Sequence, residues 1–406
     1  MLYSISEVLD YVREEDVKFV RLAFCDVFGT PKNVSVLAAE LETAFRSGVS
    51  IDASAIAGFG GAGYSDLFLI PDSTTLSVLP WRPTHGRVVR MYCDVAKPGG
   101  ERFEMDPRGI LKKAVAAAAE KGLGCAFGTE YEFYLFKNDE TGQPTTVPMD
   151  RAGYMDMAPE DAGENVRREI CLALEEMGLV PEASHHEEGP GQNEIDFRFS
   201  DALSAADNSI TFKTVVKTIA ARSGLTACFD PKPIANACGS GMHINIFPQL
   251  HGGGDCFYPF MAGIMEHISE MTLFLNPTTQ SYLRLGGHKA PQYISWSPDD
   301  RAQLIRFPAR GNGRGKIELR SPDASANPYL AYALLIYAGL EGIERGLAPP
   351  TPTELDFFAA PEQALAGLKR LPDSLGKAAA AVLEDGAFIN KYIPLQVIRA
   401  YVSDGR

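Results

Sequence analysis

Apolar positions recur along this chain at two spacings, and the switches between them predict where helices give way to strands. Around Ser6 to Arg13 they fall on one side of a helical wheel, which predicts a short amphipathic helix. The stretch VKFVRLAFCDVFG comes next, rich in β-branched and aromatic residues, and predicts a strand pair or a strand and a turn. DLFLI and RVVRMYCDV read as two further short strands flanking the turn LPWRP, and AKPGGERFEMDPRG has the composition of a linker.

A helix with both end signals comes after the linker. Asp106 can cap it, Pro107 suits its first turn, and Gly122 can stop it after KKAVAAAAEK. The domain junction is therefore expected just before it, with a small unit over 1–102 and a larger one over 103–406. In the larger unit four strand candidates, GCAFGTEYEFYLF, NEIDFRF, GMHINIF and GKIELR, alternate with the helical segments GENVRREICLALEEMG, SITFKTVVKTIAARSG and NPYLAYALLIYAGLEGI. That alternation predicts an α+β fold with a largely antiparallel sheet.

Composition narrows the function classes. A chain of 406 residues that is 45% hydrophobic can bury a large core. With 38 Lys+Arg against 52 Asp+Glu the net charge is −14, which disfavours a general nucleic-acid binder or a partner of anionic membranes. The seven cysteines are scattered without close pairs and read as reduced thiols. The acidic N-terminal stretch and the absence of a run of roughly 20 apolar residues lead to the expectation of a soluble cytoplasmic protein.

Each of the four strands carries the same anomaly. Residues two apart in a strand share a face. Glu130 and Glu132 therefore point together, as do Glu194, Asp196 and Arg198, His243 and Asn245, and Lys316, Glu318 and Arg320. For any one strand a solvated polar face is the plain explanation. It is weaker for Glu130 and Glu132, because Phe127, Phe133, Tyr134, Leu135 and Phe136 surround them on both faces, and buried carboxylates need a cation. Neighbouring strands would gather glutamates around a single histidine. Such an oxygen-rich set suits Mg²⁺ or Mn²⁺ better than Zn²⁺.

Two hard cations are typical of phosphate chemistry, and the arginines at 284, 301, 306 and 320 can clamp phosphate or carboxylate. A paired-carboxylate glycosidase would need only two acids and none of these guanidinium groups. The chain has no Walker A lysine loop and no GxGxxG, and GFGGAG at Gly58 to Gly63 is a weak phosphate-loop signal. Residue types and spacing alone thus point to a metal-dependent enzyme acting on an anionic, phosphorylated substrate.

IDASAIAGF, TEYEFYLF, SHHEEGPGQNEIDF, GSGMHINI, LIRFPA and IELRSPDASANPYLA stand in the order and spacing of glutamine synthetase of the bacterial class I type, a resemblance running from about Val17 to Tyr401. It implies a small β-grasp-like N-terminal domain followed by a catalytic domain with an antiparallel sheet funnel and flanking helices. It also implies a homo-oligomer of stacked hexameric rings, a dodecamer, with active sites between subunits. The implied reaction joins glutamate and ammonia at the expense of ATP through γ-glutamyl phosphate.

Matched motif by motif, Glu132, Glu187 and Glu194 look like ligands of a first Mg²⁺ or Mn²⁺, and Glu130, His243 and Glu318 like ligands of a second. Phe199, Asn245, Arg301, Arg306 and Lys316 resemble nucleotide-binding positions, with Phe199 packing on adenine. Gly239, His243, Arg284 and Arg320 resemble glutamate-binding positions. Arg284, Arg301 and Asp52 make up the implied catalytic set, and Asp52 would reach the ammonium across a subunit boundary.

The departures from the family pattern are specific. In the family's mobile flap a glutamate is usual, and GGHKAP here puts Lys289 in its place. Cys238 replaces an asparagine beside the glutamate-binding glycine, and Lys316 replaces an arginine, keeping the charge but losing the fork. They keep two alternatives open: a ligase joining glutamate to a polyamine or other amine, and a non-catalytic structural or regulatory paralogue. Within SHHEEGPGQNEIDF, Glu187 and Glu194 are the expected ligands on either side of the Gly-Pro-Gly turn. His185 and His186 are expected to pack or to position, and Glu188 to be solvated.

Overall fold

A computed structural model describes residues 3–60, 63, 65–82, 85–287, 289–308, 315–357 and 359–404. Gly61 and Ala62 of GFGGAG, His288 of GGHKAP and Ala309 of LIRFPA lie outside the described residues.

The helix expected near the N-terminus spans Ile5–Glu14, started by a reciprocal cap in which the Ser4 hydroxyl accepts from the Glu7 amide and the Glu7 carboxylate reaches back. It is followed by β1 (Val17–Cys25), β2 (Pro31–Leu37), β3 (Val49–Asp52), β4 (Asp66–Pro71), β5 (Ser77–Val78) and β6 (Arg87–Ala96). These form one sheet in the order β2-β1-β6-β4-β3, with β5 on β6. Among its pairings only β1–β6 is parallel. β2 escaped the sequence reading because it is an edge strand with no buried position, so its pattern carries no apolar face.

The helix Pro107–Glu120 begins where its signals placed it: Asp106 caps the Arg108 amide, and the chain turns away at Gly122 with φ +72°. Its Arg108 is buried and ties the N-terminal sheet to the larger unit. The guanidinium donates to Asp72 at 2.9 Å, to Asp94 at 2.7 Å and to both carboxylate oxygens of Asp207 at 3.1 and 3.0 Å. Asp72 and Asp94 belong to the N-terminal sheet region, and Asp207 to the helix Ala202–Arg222.

The second sheet holds β7 (Leu123–Asn138), β8 (Pro144–Pro148), β9 (Pro181–His186), β10 (Gln192–Phe197), β11 (Ser200–Asp201), β12 (Leu225–Cys228), β13 (Met242–Leu250), β14 (Trp296–Ser297), β15 (Ile305–Arg306) and β16 (Ile317–Leu319). Its order is β14-β15-β16-β13-β7-β10-β9, and β8, β11 and β12 also pair with β7. The 16 residues of β7 let it act as the common axis, and all its pairings are antiparallel, as the sequence led us to expect.

One face of this sheet is dry. Helices Pro107–Glu120 and Ala202–Arg222 pack on β7, and Pro328–Glu344 packs on both of them. Phe127 of β7 stacks on Tyr332 with ring centroids 4.4 Å apart, and Tyr131 on Phe212 at 5.1 Å, contacts worth about 0.5–1.5 kcal/mol each beyond area burial. Behind Pro328–Glu344 lies Phe257–Leu275, a helix the sequence reading missed. Twelve of its residues are buried, so it shows no amphipathic stripe to detect. The two helices cross backbone to backbone at Gly263, where a Cβ would meet the Ala338 carbonyl oxygen at 2.0 Å.

Candidate functional site

The other face of the same sheet carries the charge. On β7 the odd residues Thr129, Tyr131 and Phe133 are buried against the helices, which turns Glu130 and Glu132 to the opposite side. Strand register then lines the ionisable residues up in rows. Arg306 of β15 pairs with Glu318 of β16, Glu318 with Asn245 of β13, and Asn245 with Gly128 of β7. One step along, His243 faces Glu130 and Glu130 faces Asp196 of β10. Beside that, Glu132 faces Glu194, which faces His185 of β9. The strand-face grouping made from the sequence is reproduced, with one correction. Arg198 does not share the face, because β10 ends at Phe197 after a register shift and Arg198 turns to solvent, 3.8 Å from Glu182.

Above these rows opens a cavity of about 750 Å³. Glu130, Glu132, Glu187, Glu194 and His243 line it, and so do Gly239, Arg284, Arg301 and Arg320. Glycines let the walls close in. A Cβ on Gly239 would stand 2.7 Å from Arg284 Cγ, and one on Gly241 would stand 2.6 Å from Arg284 Nη2 and 2.9 Å from His243 Nε2. Arg284 itself is buried, donating to the carbonyls of Ser321 at 2.8 Å and Arg320 at 3.1 Å.

Several expected nucleotide residues are drawn into carboxylate contacts. Asn245 donates to Glu130 at 2.7 Å and Lys316 reaches the same oxygen at 3.3 Å. Arg306 donates to Glu318 at 2.9 Å, and Arg320 grips its other oxygen while donating to the Arg301 carbonyl at 2.7 Å. Phe199 lies flat against β7, its ring 3.0 Å from where a Cβ on Gly128 would be. Asp52 stands apart: it is exposed at the end of β3, accepts from the Ser54 hydroxyl at 2.6 Å, and does not line the cavity of its own chain. That hydroxyl and the Ser54 amide hold its carboxyl below the usual range.

The acid set fits a divalent metal. Glu130, His243 and Glu318 bring ligand atoms within 4.8 Å of one another, the full second set implied by the sequence motifs. Of the first set, Glu132 and Glu187 each gather with Glu194, but in two separate groups, the one with His243 and the other with His185. Burial and the neighbouring charges of Glu132, Asp196, Glu130 and Glu187 push the Glu194 carboxyl far above its ordinary value. A side chain only 10% exposed among like charges is stable as a carboxylate when a cation sits beside it. Glu130 and Glu318 are held low in spite of burial, the former by His243 and Lys316, the latter by Arg320 and Arg306.

The sequence reading undervalued three residues here. His185 lies 3.1 Å from Glu187 and 3.9 Å from Glu194, close enough to join the ligand set. Asp196 keeps a buried carboxylate oxygen without a hydrogen-bond partner beside Glu130 and Glu194. Glu188 is more than a solvated acid: part of it is exposed, but it lines the cavity and is ion-paired to Lys289. His186 behaves as expected, buried and bonded to Asp150 at 2.9 Å to fix the loop.

A β-grasp unit joined to an antiparallel sheet with a carboxylate-floored, arginine-walled cavity defines the class of metal-assisted ligases that activate a carboxylate with a nucleotide. Residues 16–98 match the family model described as glutamine synthetase, beta-Grasp domain, and residues 104–404 match glutamine synthetase, catalytic domain. The chain is 46% identical to the glutamine synthetase of Clostridium saccharobutylicum over 392 residues, covering 93% of this chain and 88% of that one. It is 44% identical to that of Methanosarcina mazei over 413 residues, 98% and 92% of the two chains.

Among solved structures, a GmaS/ADP complex superposes with a TM-score of 0.88 at 29% identity, covering 99% of this chain and 95% of that one. Plasmodium falciparum glutamine synthetase shares the fold with a TM-score of 0.87 at 23% identity, over 100% and 96%. The chain belongs to the glutamine synthetase family.

Proposed function

We propose that this protein joins glutamate to ammonia with ATP, forming glutamine, ADP and phosphate. The observation that carries this reading is the pairing, in one cavity, of a carboxylate and histidine floor with the guanidinium groups of Arg284, Arg301 and Arg320. An anionic amino acid and a polyphosphate both need positive partners, which the guanidinium groups supply directly and the carboxylates would supply through a bound cation. The relatives named glutamine synthetases and the neighbour complexed with ADP support the same choice of substrates.

Glutamate's carboxylates are held by Arg284 and Arg320, with Gly239 admitting its backbone end and His243 below it. The adenine rests on Phe199, and Arg301 and Arg306 hold the phosphates, with Asn245 and Lys316 steadying Glu130 beneath them. Glu130, His243 and Glu318 would hold one divalent ion, Mg²⁺ or Mn²⁺, and Glu132, Glu187 and Glu194 the other. When bound, the ions supply positive charge against the transferring phosphoryl group.

In the first step the γ-carboxylate oxygen attacks the γ-phosphorus of ATP and ADP leaves. In the second, ammonium gives up one proton, the resulting ammonia attacks the acyl carbon, and phosphate leaves with the second proton shed by the nitrogen. Asp52, exposed on one subunit, reaches the cavity of the next and takes the proton from ammonium, which calls for a homo-oligomer; the family resemblance supports a hexameric ring stacked into a dodecamer, in the cytoplasm. A second reading, glutamate joined to another amine, is raised by the loss of the flap acid at this position, not by the lysine that replaces it and lines the cavity. The test is phosphate release from ATP with Mg²⁺ and glutamate, with ammonia and then a panel of amines. Glutamate- and ammonia-dependent release is expected; release with another amine and not with ammonia replaces it by the second reading, and no release with ammonia or any amine contradicts both.

A further inference from the structure

Two of the departures noted in the sequence meet at one carboxylate. Lys289, on the turn after the helix Thr279–Arg284, sets its ammonium against Glu188 Oε1. The same ammonium lies 5.7 Å from the ring centroid of Tyr154. Cys238, on the loop before β13, donates its thiol to Glu188 Oε2 at 3.5 Å. All four residues line the cavity. Burial, and then the charge of Glu188, push the Cys238 thiol up to about 11, so it stays a donor at neutral pH.

The backbone is bent to make this contact. Lys289 has φ +56°, a conformation uncommon for any residue with a Cβ. The turn is closed by Gly287 N–H to the Arg284 carbonyl at 3.0 Å and Ala290 N–H to the Gly287 carbonyl at 3.0 Å. A plain surface ion pair would need neither the strained turn nor the aromatic face.

A carboxylate beside an aromatic ring is a receptor for an ammonium group, through an ion pair on one side and a cation–π contact on the other. A lysine side chain is itself a primary alkylammonium. We propose that Glu188, Tyr154 and Cys238 form a primary-alkylammonium subsite at the mouth of the cavity, and that Lys289 fills it as a tethered internal ligand. The Lys289 side chain is 43% exposed and that of Glu188 27%, so the pair is weak enough for a soluble amine to compete with it. The tether gives the lysine an effective concentration on the order of millimolar, which soluble amines must exceed. The subsite stands on its own geometry. Its consequence rests on the ligase reading: an alkylamine acceptor is disfavoured against ammonia while the lysine is seated, because its ammonium and chain would have to displace the lysine from Glu188.

The test is calorimetric titration of n-butylammonium chloride into the full-length protein in magnesium buffer. Lys289→Met is expected to bind it at least tenfold more tightly than the parent, Lys289→Gln to do likewise, and Glu188→Gln added to Lys289→Met to abolish the gain. Parent-like binding by both Lys289 variants, or a gain that survives Glu188→Gln, overturns the proposal. With ATP and glutamate, the ratio of kcat/KM for n-butylamine to that for ammonia should rise at least tenfold in Lys289→Met. Absence of ammonia turnover in the parent contradicts the ligase reading alone, and the binding result still decides the subsite.

Discussion

Glu194 and Glu132 stand directly opposite each other on antiparallel strands β10 and β7. Like charges so placed destabilise a sheet, and Asp196 facing Glu130 repeats the conflict one step along. On the proposed function, the sheet keeps this repulsion because the carboxylates hold a cation. Glu194→Gln should therefore have effects of opposite sign. In EDTA it should stabilise the protein by about 1 kcal/mol. With Mg²⁺ it should lower turnover by about a hundredfold or more, beyond the ten- to hundredfold typical of groups that only support a ligand. Thermal melts with and without metal, alongside initial rates, check both signs.

Phe199 rests so closely on Gly128 that a Cβ there would lie 3.0 Å from the ring, which would have to give by a few tenths of an ångström. Gly128→Ala should tilt the ring off the sheet at a cost of about 1–3 kcal/mol. If the ring carries adenine, the KM for ATP should rise about tenfold while the KM for glutamate stays within about twofold. Steady-state kinetics with each substrate varied separates the two.

These two sites differ in how readable they were. The carboxylate rows follow from a period of two within single strands, so Glu130, Glu132, Glu194, His243 and Glu318 could be grouped before any fold was known. Glu187 lies outside that period, on the loop after β9, and only the motif resemblance found it. The meeting of Lys289 and Cys238 at Glu188 was not legible, because the partners lie 101 and 50 residues away and no local pattern relates them. Arg198 was misplaced for the opposite reason: the period was read past the point where β10 ends. The helix Phe257–Leu275 was missed because burial on all sides erases the amphipathic signal.

Arg108 is the junction between the two sheets, and its loss should be felt in acid as well as at neutral pH. Burial works against the Asp72 charge, but the Thr74 hydroxyl, Arg108 and Lys112 outweigh it and hold its carboxyl at about 2, below an ordinary 3.8. A depressed carboxyl stabilises the folded state above its unfolded value and loses that contribution as pH falls through its folded value. Wild-type stability should thus decline between about pH 4 and 2, and this component should be smaller in Arg108→Met, where the Thr74 hydroxyl and Lys112 remain. Near pH 7 the same variant should lose about 3–5 kcal/mol, because buried carboxylates remain without their partner. Urea unfolding across this pH range measures both.

Asp52 is exposed and away from its own chain's cavity, so the proposed role requires a neighbour. Asp52→Ala and Glu194→Gln should each be inactive alone. Co-expressed in equal amounts, they should recover about a quarter of parental activity per site, the fraction in which an intact floor meets an intact Asp52 across a head-to-tail contact. No recovery in verified mixed oligomers would mean that Asp52 does not act across a subunit contact, and an active Asp52→Ala would place it outside the mechanism.

Activation of glutamate by phosphoryl transfer is the central claim, and isotope transfer tests it most directly. Glutamate labelled with oxygen-18 in its γ-carboxylate is turned over with ATP, Mg²⁺ and ammonia, and the released phosphate is weighed by mass spectrometry. One labelled oxygen per phosphate, matched by one glutamine formed, is the expected result. Unlabelled phosphate would mean that water, not the glutamate carboxylate, accepts the phosphoryl group, and would contradict it.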